Sequence, residues 1–197
     1  MENLLNIEKY TYYDYLRWTD NFRYELIEGY RKIMAGVSEW HNIVVQKLIR
    51  LSEQFWSDND YQKYFMFSSN FDVILFPEDD VLKSKTTVQP DLGFCKKEKR
   101  VGKTIIGAPE FIIEVISSNP SYDYRTKYDL YEKAGVLEYW IVAPREQNIS
   151  VYLLDKEKNK YNEPVCYELD RGEKVVSVAI PGLELDIKTI FDFRGLE

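Results

Sequence analysis

The stretch PEFIIEVISS, residues 109–118, sets the centre of the fold. Branched and aromatic residues fill positions 111–116 almost without a break, and Glu114 is the one exception. A near-continuous apolar run of this length predicts a β-strand that is buried on both faces. Asn119-Pro120 then ends the strand, because this dipeptide favours a turn. A carboxylate such as Glu114 is costly in a buried strand unless another group compensates its charge.

A second acid raises the same question in VQPDLGFC, residues 88–95. The stretch has the composition of a buried strand, yet Pro90 and Asp91 stand in its middle. Proline has no N–H to donate to a sheet, and an ionised aspartate is costly in apolar surroundings unless another group compensates it. Either Asp91 caps a local turn after Pro90, or it faces a cleft and takes part in chemistry.

The lysine-rich loop between these two stretches can bring their strands side by side. In that arrangement the carboxylates of Asp91 and Glu114 face one cleft. Two carboxylates about 4 Å apart repel each other unless a cation lies between them. Oxygen ligands of this kind favour magnesium or manganese. The alternatives are a turn cap at Asp91 and a solvated strand face at Glu114, in a purely structural domain.

A helix predicted for DYRTKYDLYEKAG, residues 123–135, contributes a positive charge. Asp123 is its predicted cap, and Gly135 ends it as a left-handed residue. Lys127 lies one turn into this helix, where it can orient an attacking water or balance the charge of a phosphate. The alternative is an ordinary ion pair between Lys127 and Asp123, four residues earlier.

The remaining sequence predicts a single mixed α/β domain over residues 1–197, built on a central sheet. An amphipathic helix near the N-terminus precedes a hairpin that turns at Glu28-Gly29. Ser38 caps the next helix, whose apolar residues have helical spacing, and His41 lies near its start. KYFMFSSNFDVILFP then predicts one long strand or two short ones, and further strands follow Pro144.

The chain is acidic, with a net charge of −7 over 197 residues. This balance argues against broad non-specific binding to nucleic acid, which depends on the neutralisation of phosphates. The five basic residues from Lys96 to Lys103 are interpreted as a solvated loop, with nucleic-acid contact as the alternative. Cys95 and Cys166 form no disulfide framework, and without a signal peptide they predict a reducing cytoplasm. No apolar run reaches the roughly 18 residues of a membrane span.

Taken together, these residues resemble the Uma2 family of restriction endonucleases, within the PD-(D/E)XK nuclease-like superfamily. The matching pieces are Pro90-Asp91, Glu114 with Ser117, Asp123 with Lys127, Gly135-Val136, Glu138-Tyr139-Trp140, and in the N-terminal half Tyr24-Glu25-Leu26-Ile27, Glu28-Gly29 and His41. The resemblance covers roughly residues 10–155. The set is specific as a whole, although no single piece is.

The resemblance implies a restriction-endonuclease-like core, in which a central mixed β-sheet is flanked by helices. It implies a magnesium or manganese site held by the carboxylates of Asp91 and Glu114 and by the backbone carbonyl of Val115. Lys127 would support the attacking water or the charge on the phosphate. The candidate cleft-lining residues are Glu25, His41 and Asp123. The implied activity is metal-dependent endonucleolytic hydrolysis of DNA, and a homodimer is expected because paired cuts need two sites.

Departures from the family pattern favour a second hypothesis. The superfamily places its lysine two residues after the second acid, and here that position is Ile116. Glu28 replaces the commoner aspartate of the hairpin motif. After the Tyr139-Trp140 strand the family usually has Asp-Pro, whereas this chain has Ala143-Pro144. The alternative function is therefore a catalytically weak or inactive nuclease-fold module that binds nucleic acid or regulates a partner.

Overall fold

The computed structural model describes residues 9–34, 36, 38–59, 63–116, 121–172 and 174–194. The fold class is confirmed as mixed α and β. The strands of the described part divide into a six-stranded, a seven-stranded and a two-stranded sheet, and both large sheets are mixed. No helix in these described ranges is both long and apolar enough to span a membrane. That residues 1–197 form one domain stays a prediction.

The elements follow in chain order. The helices are α1 (Tyr12–Tyr15), α2 (Glu39–Asn59), α3 (Ser121–Ala134) and α4 (Ile187–Ile190). The strands are β1 (Tyr24–Ile27), β2 (Tyr30–Ile33), β3 (Tyr64–Ser68), β4 (Asp72–Ile74), β5 (Thr87–Val88), β6 (Leu92–Lys96), β7 (Arg100–Val101), β8 (Thr104–Ile106), β9 (Phe111–Val115), β10 (Glu138–Ala143), β11 (Asn148–Asp155), β12 (Lys160–Tyr161), β13 (Val165–Glu168), β14 (Lys174–Val176) and β15 (Glu184–Asp186). Short 3₁₀ turns cover Val81–Lys83, Lys97–Lys99 and Leu169–Arg171.

Strand β9 lies inside the seven-stranded sheet, between antiparallel β6 and parallel β10. Every residue of β9 is buried, as the apolar run predicts. Alternate side chains point to opposite faces of a strand. Ile113 accordingly packs in one core with Leu48 of α2, and Ile112 packs in another with Leu130 of α3. Helices α2 and α3 therefore cover opposite faces of this sheet.

The stretch VQPDLGFC is not one strand, and this part of the prediction is wrong. Its first residues form β5 in the six-stranded sheet, and its last residues form β6 in the seven-stranded sheet. Pro90 and Asp91 lie between the two strands and join the sheets. The physical reason is that proline lacks the N–H that a continuous strand would donate to its neighbour. KYFMFSSNFDVILFP divides in the same way, into β3 of one sheet and β4 of the other.

Local signals in the sequence set most of the element ends correctly. The hairpin turns at Glu28 and Gly29, whose φ angles of 51° and 88° suit a tight turn between β1 and β2. The backbone N–H of His41 donates to the Ser38 hydroxyl over 3.2 Å, which is the predicted cap of α2. Gly135 has the left-handed φ of 86° that ends α3.

Helix α3 begins two residues earlier than predicted. Its first residue is Ser121, so Asp123 lies inside the first turn and is not the residue before the helix. The sequence allows this earlier start, because Pro120 directly precedes Ser121 and proline is favoured at helix starts. The side chain of Asp123 lies outside the described residues, and so does Ser117 of the quoted motif.

A buried carboxylate attaches the C-terminal strands to the seven-stranded sheet. Glu138 on β10 has no exposed surface. Its Oε1 accepts a hydrogen bond of 2.6 Å from the indole N–H of Trp140. Its Oε2 accepts from the Ser177 hydroxyl at 2.8 Å and from the backbone N–H groups of Val178 and Ala179 at 2.8 and 2.7 Å. The loop that joins β14 to β15 is thereby fixed to the core.

Candidate active site

Asp91 is held at the start of β6 by two donors. Its Oδ2 accepts a hydrogen bond of 2.9 Å from the backbone N–H of Val115 and lies 3.1 Å from Nε2 of His41. The Asp91 side chain is 16% exposed, so solvent still reaches it. Neither bond belongs to a simple turn cap after Pro90. The side chain instead joins the end of β9 to the first turn of α2.

The proline explains why the last residue of β9 is open to other partners. Leu92 pairs with Ile113, so the same register places Pro90 opposite Val115. The N–H and C=O of a strand residue point toward the same neighbouring strand. The N–H of Val115 donates to the Asp91 carboxylate, and Pro90 has no N–H that could donate to the carbonyl of Val115. The Val115 carbonyl oxygen is therefore left without its ladder donor, on the side where Asp91 lies.

Glu114 faces α3 from the neighbouring position on β9. It is 8% exposed, which excludes the alternative of a solvated strand face. Its Oε1 accepts a hydrogen bond of 2.6 Å from the hydroxyl of Tyr131 and one of 3.0 Å from the ammonium of Lys127. Burial raises the pKa of Glu114 to about 7. The positive charge of Lys127 lowers this pKa, whereas the negative charges of Asp91 and Glu25 raise it further.

Lys127 joins Glu114 to a third carboxylate. Its Nζ lies 3.0 Å from Oε1 of Glu25 and 3.0 Å from Oε1 of Glu114. Glu25 is only 3% exposed, and its Oε1 also accepts from the backbone N–H of Gln89. Glu25 is therefore not a surface residue of the hairpin, although its place on a short alternating strand would also suit one. Burial by itself would lower the pKa of Lys127, but the surrounding carboxylates outweigh burial and raise it.

His41 completes the cluster from the opposite face of the sheet. It is 6% exposed in the first turn of α2, and Ser38 fixes the start of that helix. Burial lowers the pKa of His41, but its hydrogen bond to Asp91 and the negative charges of Asp91 and Glu114 raise it above 6.5 overall. The protonated imidazole is therefore favoured beside Asp91. The two cations, His41 and Lys127, flank the two acids.

The remaining oxygens of the cluster are those that could bind a divalent cation. Oδ1 of Asp91 and Oε2 of Glu114 have no hydrogen-bond partner among the residues that the structure describes. Within the same residues, no three His, Cys, Asp or Glu side chains form a ready-made metal cage. Two carboxylate oxygens and the Val115 carbonyl suit magnesium, which keeps waters and substrate phosphates as its other ligands. The donor set fits a magnesium or manganese ion.

The structure brings five of the six predicted side chains together, and the sixth, Asp123, lies outside the described side chains. Their roles stay predictions. Sequence reasoning missed Tyr131 as a site residue, although its position four residues after Lys127 was the available signal. It also missed the backbone contact from Gln89. Ile116 packs against the apolar core beside α3, so a lysine in the superfamily's usual place would face that core.

The basic residues from Lys96 to Lys103 lie away from this cluster in the fold. The ammonium of Lys99 donates to Oε1 of Glu110 at 2.6 Å and to the carbonyl of Ala108 at 2.5 Å. The guanidinium of Arg100 lies over the ring of Phe65, with 4.1 Å between its central carbon and the ring centroid. These two basic side chains therefore attach the loop to the protein itself, and the choice between a solvated loop and a nucleic-acid contact stays a prediction.

Known proteins resemble this chain in sequence and in fold. The sequence model of the Uma2 family, described as "Putative restriction endonuclease", matches residues 12–188. No curated protein is significantly similar in sequence to this chain. The crystal structure of a "putative nuclease belonging to DUF820" from Anabaena variabilis has the same fold, with a TM-score of 0.70 and 19% identity over 93% of this chain and 98% of that one. This chain belongs to the Uma2 family, a family described as nucleases.

Proposed function

We propose that this protein is a divalent-metal-dependent endonuclease that hydrolyses phosphodiester bonds of DNA. The observation that carries the proposal is the pairing of Asp91 with the end of β9. Two carboxylate oxygens and the Val115 carbonyl, for which the described residues supply no hydrogen-bond donor, lie there beside the largely buried Lys127. DNA is the proposed substrate because the family is described as restriction endonucleases. A homodimer in the cytoplasm remains part of the proposal.

Asp91, Glu114 and Val115 are the residues that would hold the cation. A divalent cation bound there would supply Lewis-acid activation of the scissile phosphodiester and of the attacking water. The protein groups around the proposed cation site orient its ligands. His41 and the Val115 N–H fix the orientation of Asp91, and Tyr131 fixes that of Glu114. Rigid support of this kind keeps ligands in the productive geometry.

Lys127 is the proposed electrostatic partner of the substrate. Its ammonium carries a raised pKa, so it stays protonated at neutral pH. A fixed positive charge at the cleft stabilises the negative charge that develops on a phosphate during hydrolysis. Glu25, on β1, holds the Lys127 ammonium in place through an ion pair. The same ammonium also forms an ion pair with Glu114. Glu25 is therefore proposed as a positioning residue.

The alternative is a nuclease-fold module that binds nucleic acid without turnover, and one observation favours it. The Lys127 ammonium lies 3.0 Å from each of two carboxylates, so its charge is largely balanced within the protein. The superfamily's usual lysine position holds Ile116, which contributes only apolar packing. Both hypotheses predict binding to nucleic acid, and only the first predicts cleavage.

The experiment is a cleavage assay on supercoiled and single-stranded DNA with magnesium, manganese or EDTA. Wild type is compared with Asp91→Ala and with Asp79→Ala, a control at an exposed aspartate that takes no part in the cluster. The proposal expects metal-dependent nicking by wild type and by Asp79→Ala, and none by Asp91→Ala. Binding of DNA without cleavage by any of the three proteins would favour the inactive module. Cleavage by Asp91→Ala at the wild-type rate would contradict the assignment of the centre.

A further inference from the structure

The side chain of Arg23 is exposed, yet two neutral groups hold its guanidinium in one orientation. Its Nη2 donates to the backbone carbonyl of Ser69 and to Oε1 of Gln89, each over 2.7 Å. A guanidinium has five N–H donors, and these two bonds use only one of its three nitrogens. Among the residues that the structure describes, the N–H groups on Nε and Nη1 have no partner. Arg23 is therefore fixed in position while donors remain for a ligand.

The positive charge of Arg23 is also uncompensated. In the described part of the chain, no carboxylate forms an ion pair with this guanidinium. Asp20, three residues earlier, is paired with Arg31 instead. Asp72 is separated from Arg23 by the amide of Gln89, whose Oε1 accepts from the arginine and whose Nε2 donates to the aspartate at 2.9 Å. An exposed guanidinium in these surroundings suits an anionic partner, above all a phosphate.

Arg23 lies on the side of the hairpin that faces the candidate active site. The backbone N–H of Met34 donates to the carbonyl of Arg23 at 2.9 Å, which extends the pairing of β1 with β2 by one residue. Alternate side chains of an extended strand share a face, so Arg23 and Glu25 leave the hairpin in the same direction. Two residues of a strand span about 7 Å. Arg23 therefore stands about 7 Å along the strand from Glu25, the carboxylate that binds Lys127.

Gln89 joins the arginine to the cluster. Its side-chain Oε1 accepts from Arg23, and its backbone N–H donates to Oε1 of Glu25 at 3.0 Å. The same residue directly precedes Pro90 and Asp91 in the chain. The arginine and the proposed catalytic carboxylates are thus attached to one short segment. A binding group whose position is fixed before the ligand arrives loses less conformational freedom on binding.

We propose that Arg23 binds a phosphate of the substrate strand beside the scissile bond. The inference rests on the proposed function for the identity of the ligand, a nucleic-acid strand, and it adds a contact outside the catalytic cluster. Each strand of a double helix carries one phosphate per about 3.4 Å of helix axis, so a contact about 7 Å from Glu25 meets a phosphate one or two nucleotides away. The planar guanidinium can bind two oxygens of that phosphate.

The test measures the salt dependence of binding, with a fluorescein-labelled DNA duplex and fluorescence anisotropy in EDTA, where metal-dependent cleavage is absent. Arg23→Met should weaken binding and make the slope of log K against log salt shallower by about 0.9, the value for one phosphate contact on a duplex. Arg23→Lys keeps the charge and should restore the slope. A purely structural Arg23, which only joins the hairpin to Ser69, would lower the melting temperature and leave the slope unchanged.

The matched control is Lys156→Met, which removes one exposed positive charge at the opposite end of the sheet. Val115 pairs with Val142 on parallel β10, and β11 runs antiparallel to β10, so the turn after Asp155 lies at the far end from Val115. This variant should keep the wild-type slope, because salt screens a charge at that distance.

The outcomes separate this inference from the proposed function. An unchanged slope in Arg23→Met, or an equal change in Lys156→Met, would overturn the phosphate contact, while metal-dependent cleavage by wild type would leave the nuclease standing. A shallower slope in Arg23→Met alone, without cleavage by wild type, would keep the contact and remove the nuclease. If Arg23→Met fails to fold, Arg23→Gln carries the same comparison. Wild type that does not bind the duplex overturns the inference.

Discussion

The carboxylate of Asp91 accepts a 2.9 Å hydrogen bond from the backbone N–H of Val115, one residue beyond Glu114. The aspartate side chain thereby satisfies a backbone N–H of β9 at the point where Pro90 interrupts the hydrogen bonding between strands. It also couples the two acids, because any shift of Asp91 moves the end of the strand that carries Glu114. The proline that breaks the strand therefore creates the site. It separates the two sheets and leaves the Val115 carbonyl open.

Removal of the Lys127 charge should strongly destabilise the protein. Lys127→Met leaves the carboxylates of Glu25 and Glu114 buried without their shared cation. Loss of one partner of a buried ion pair costs about 3–5 kcal/mol. Urea denaturation at pH 7 in EDTA measures this loss. Lys83→Met, at an exposed ion pair with Asp80, should change the free energy of unfolding by less than about 1 kcal/mol.

Lower pH should recover part of the stability that Lys127→Met loses. The proton that Glu114 takes up then replaces the missing ammonium charge. Equal free energies of unfolding for wild type and Lys127→Met at pH 7 would show that the three groups are not coupled as the structure indicates.

The metal-free protein should become less stable as the pH rises from about 4.5 to about 7, the range between the ordinary and the raised pKa of Glu114, and His41 should act in the same direction. The pKa of Glu114 is raised from 4.5 to about 7, and that of His41 is raised above 6.5. Each group therefore binds its proton more tightly in the folded state. Its stabilisation is complete below the unfolded pKa and is lost as the pH rises through the folded pKa.

Melting temperatures in EDTA across this range measure that dependence. Glu114→Gln should flatten the fall between about pH 4.5 and pH 7, because the amide does not titrate. The matched control, Glu146→Gln, replaces an exposed glutamate and should keep the wild-type slope. A melting temperature that rises with pH over this window would contradict the burial of Glu114.

The centre of the fold could be predicted from the sequence because its signals are local. The apolar run around Glu114 predicts a doubly buried strand, and the pairs Glu28-Gly29 and Ser38 with His41 mark a turn and a helix start. A lone acid in a run of this kind also marks Asp91 and Glu114 as candidate site residues.

The rest depends on how distant segments pack, which one strand or helix does not reveal. Pro90 marks the point where VQPDLGFC breaks, but the sheet that each half joins depends on its pairing with β4 or β9, which lie far apart in sequence. Glu25 looks like a surface residue on an alternating hairpin, and it is buried only because that hairpin docks against α3. The hydroxyl of Tyr131 reaches Glu114 for the same reason.

The buried carboxylate of Glu138 gives a stability prediction that is independent of the active site. Glu138→Gln replaces one acceptor oxygen by an NH₂ group, which cannot accept from Trp140 or from the backbone of Val178 and Ala179. A buried donor left without an acceptor costs about 1–3 kcal/mol. Urea denaturation should show this loss relative to Glu146→Gln. A change within about 0.5 kcal/mol, as for ordinary surface substitutions, would show that this loop is not fixed through Glu138.

The most direct measurement is a titration of manganese followed by the electron paramagnetic resonance signal of the free ion. The central claim is that Asp91 and Glu114 hold a divalent cation together. Wild type and Asp79→Ala should bind one manganese ion per chain, while Asp91→Ala and Glu114→Gln should each lose that binding and remain folded. Manganese binding by Asp91→Ala with the same stoichiometry and affinity as wild type would contradict the claim.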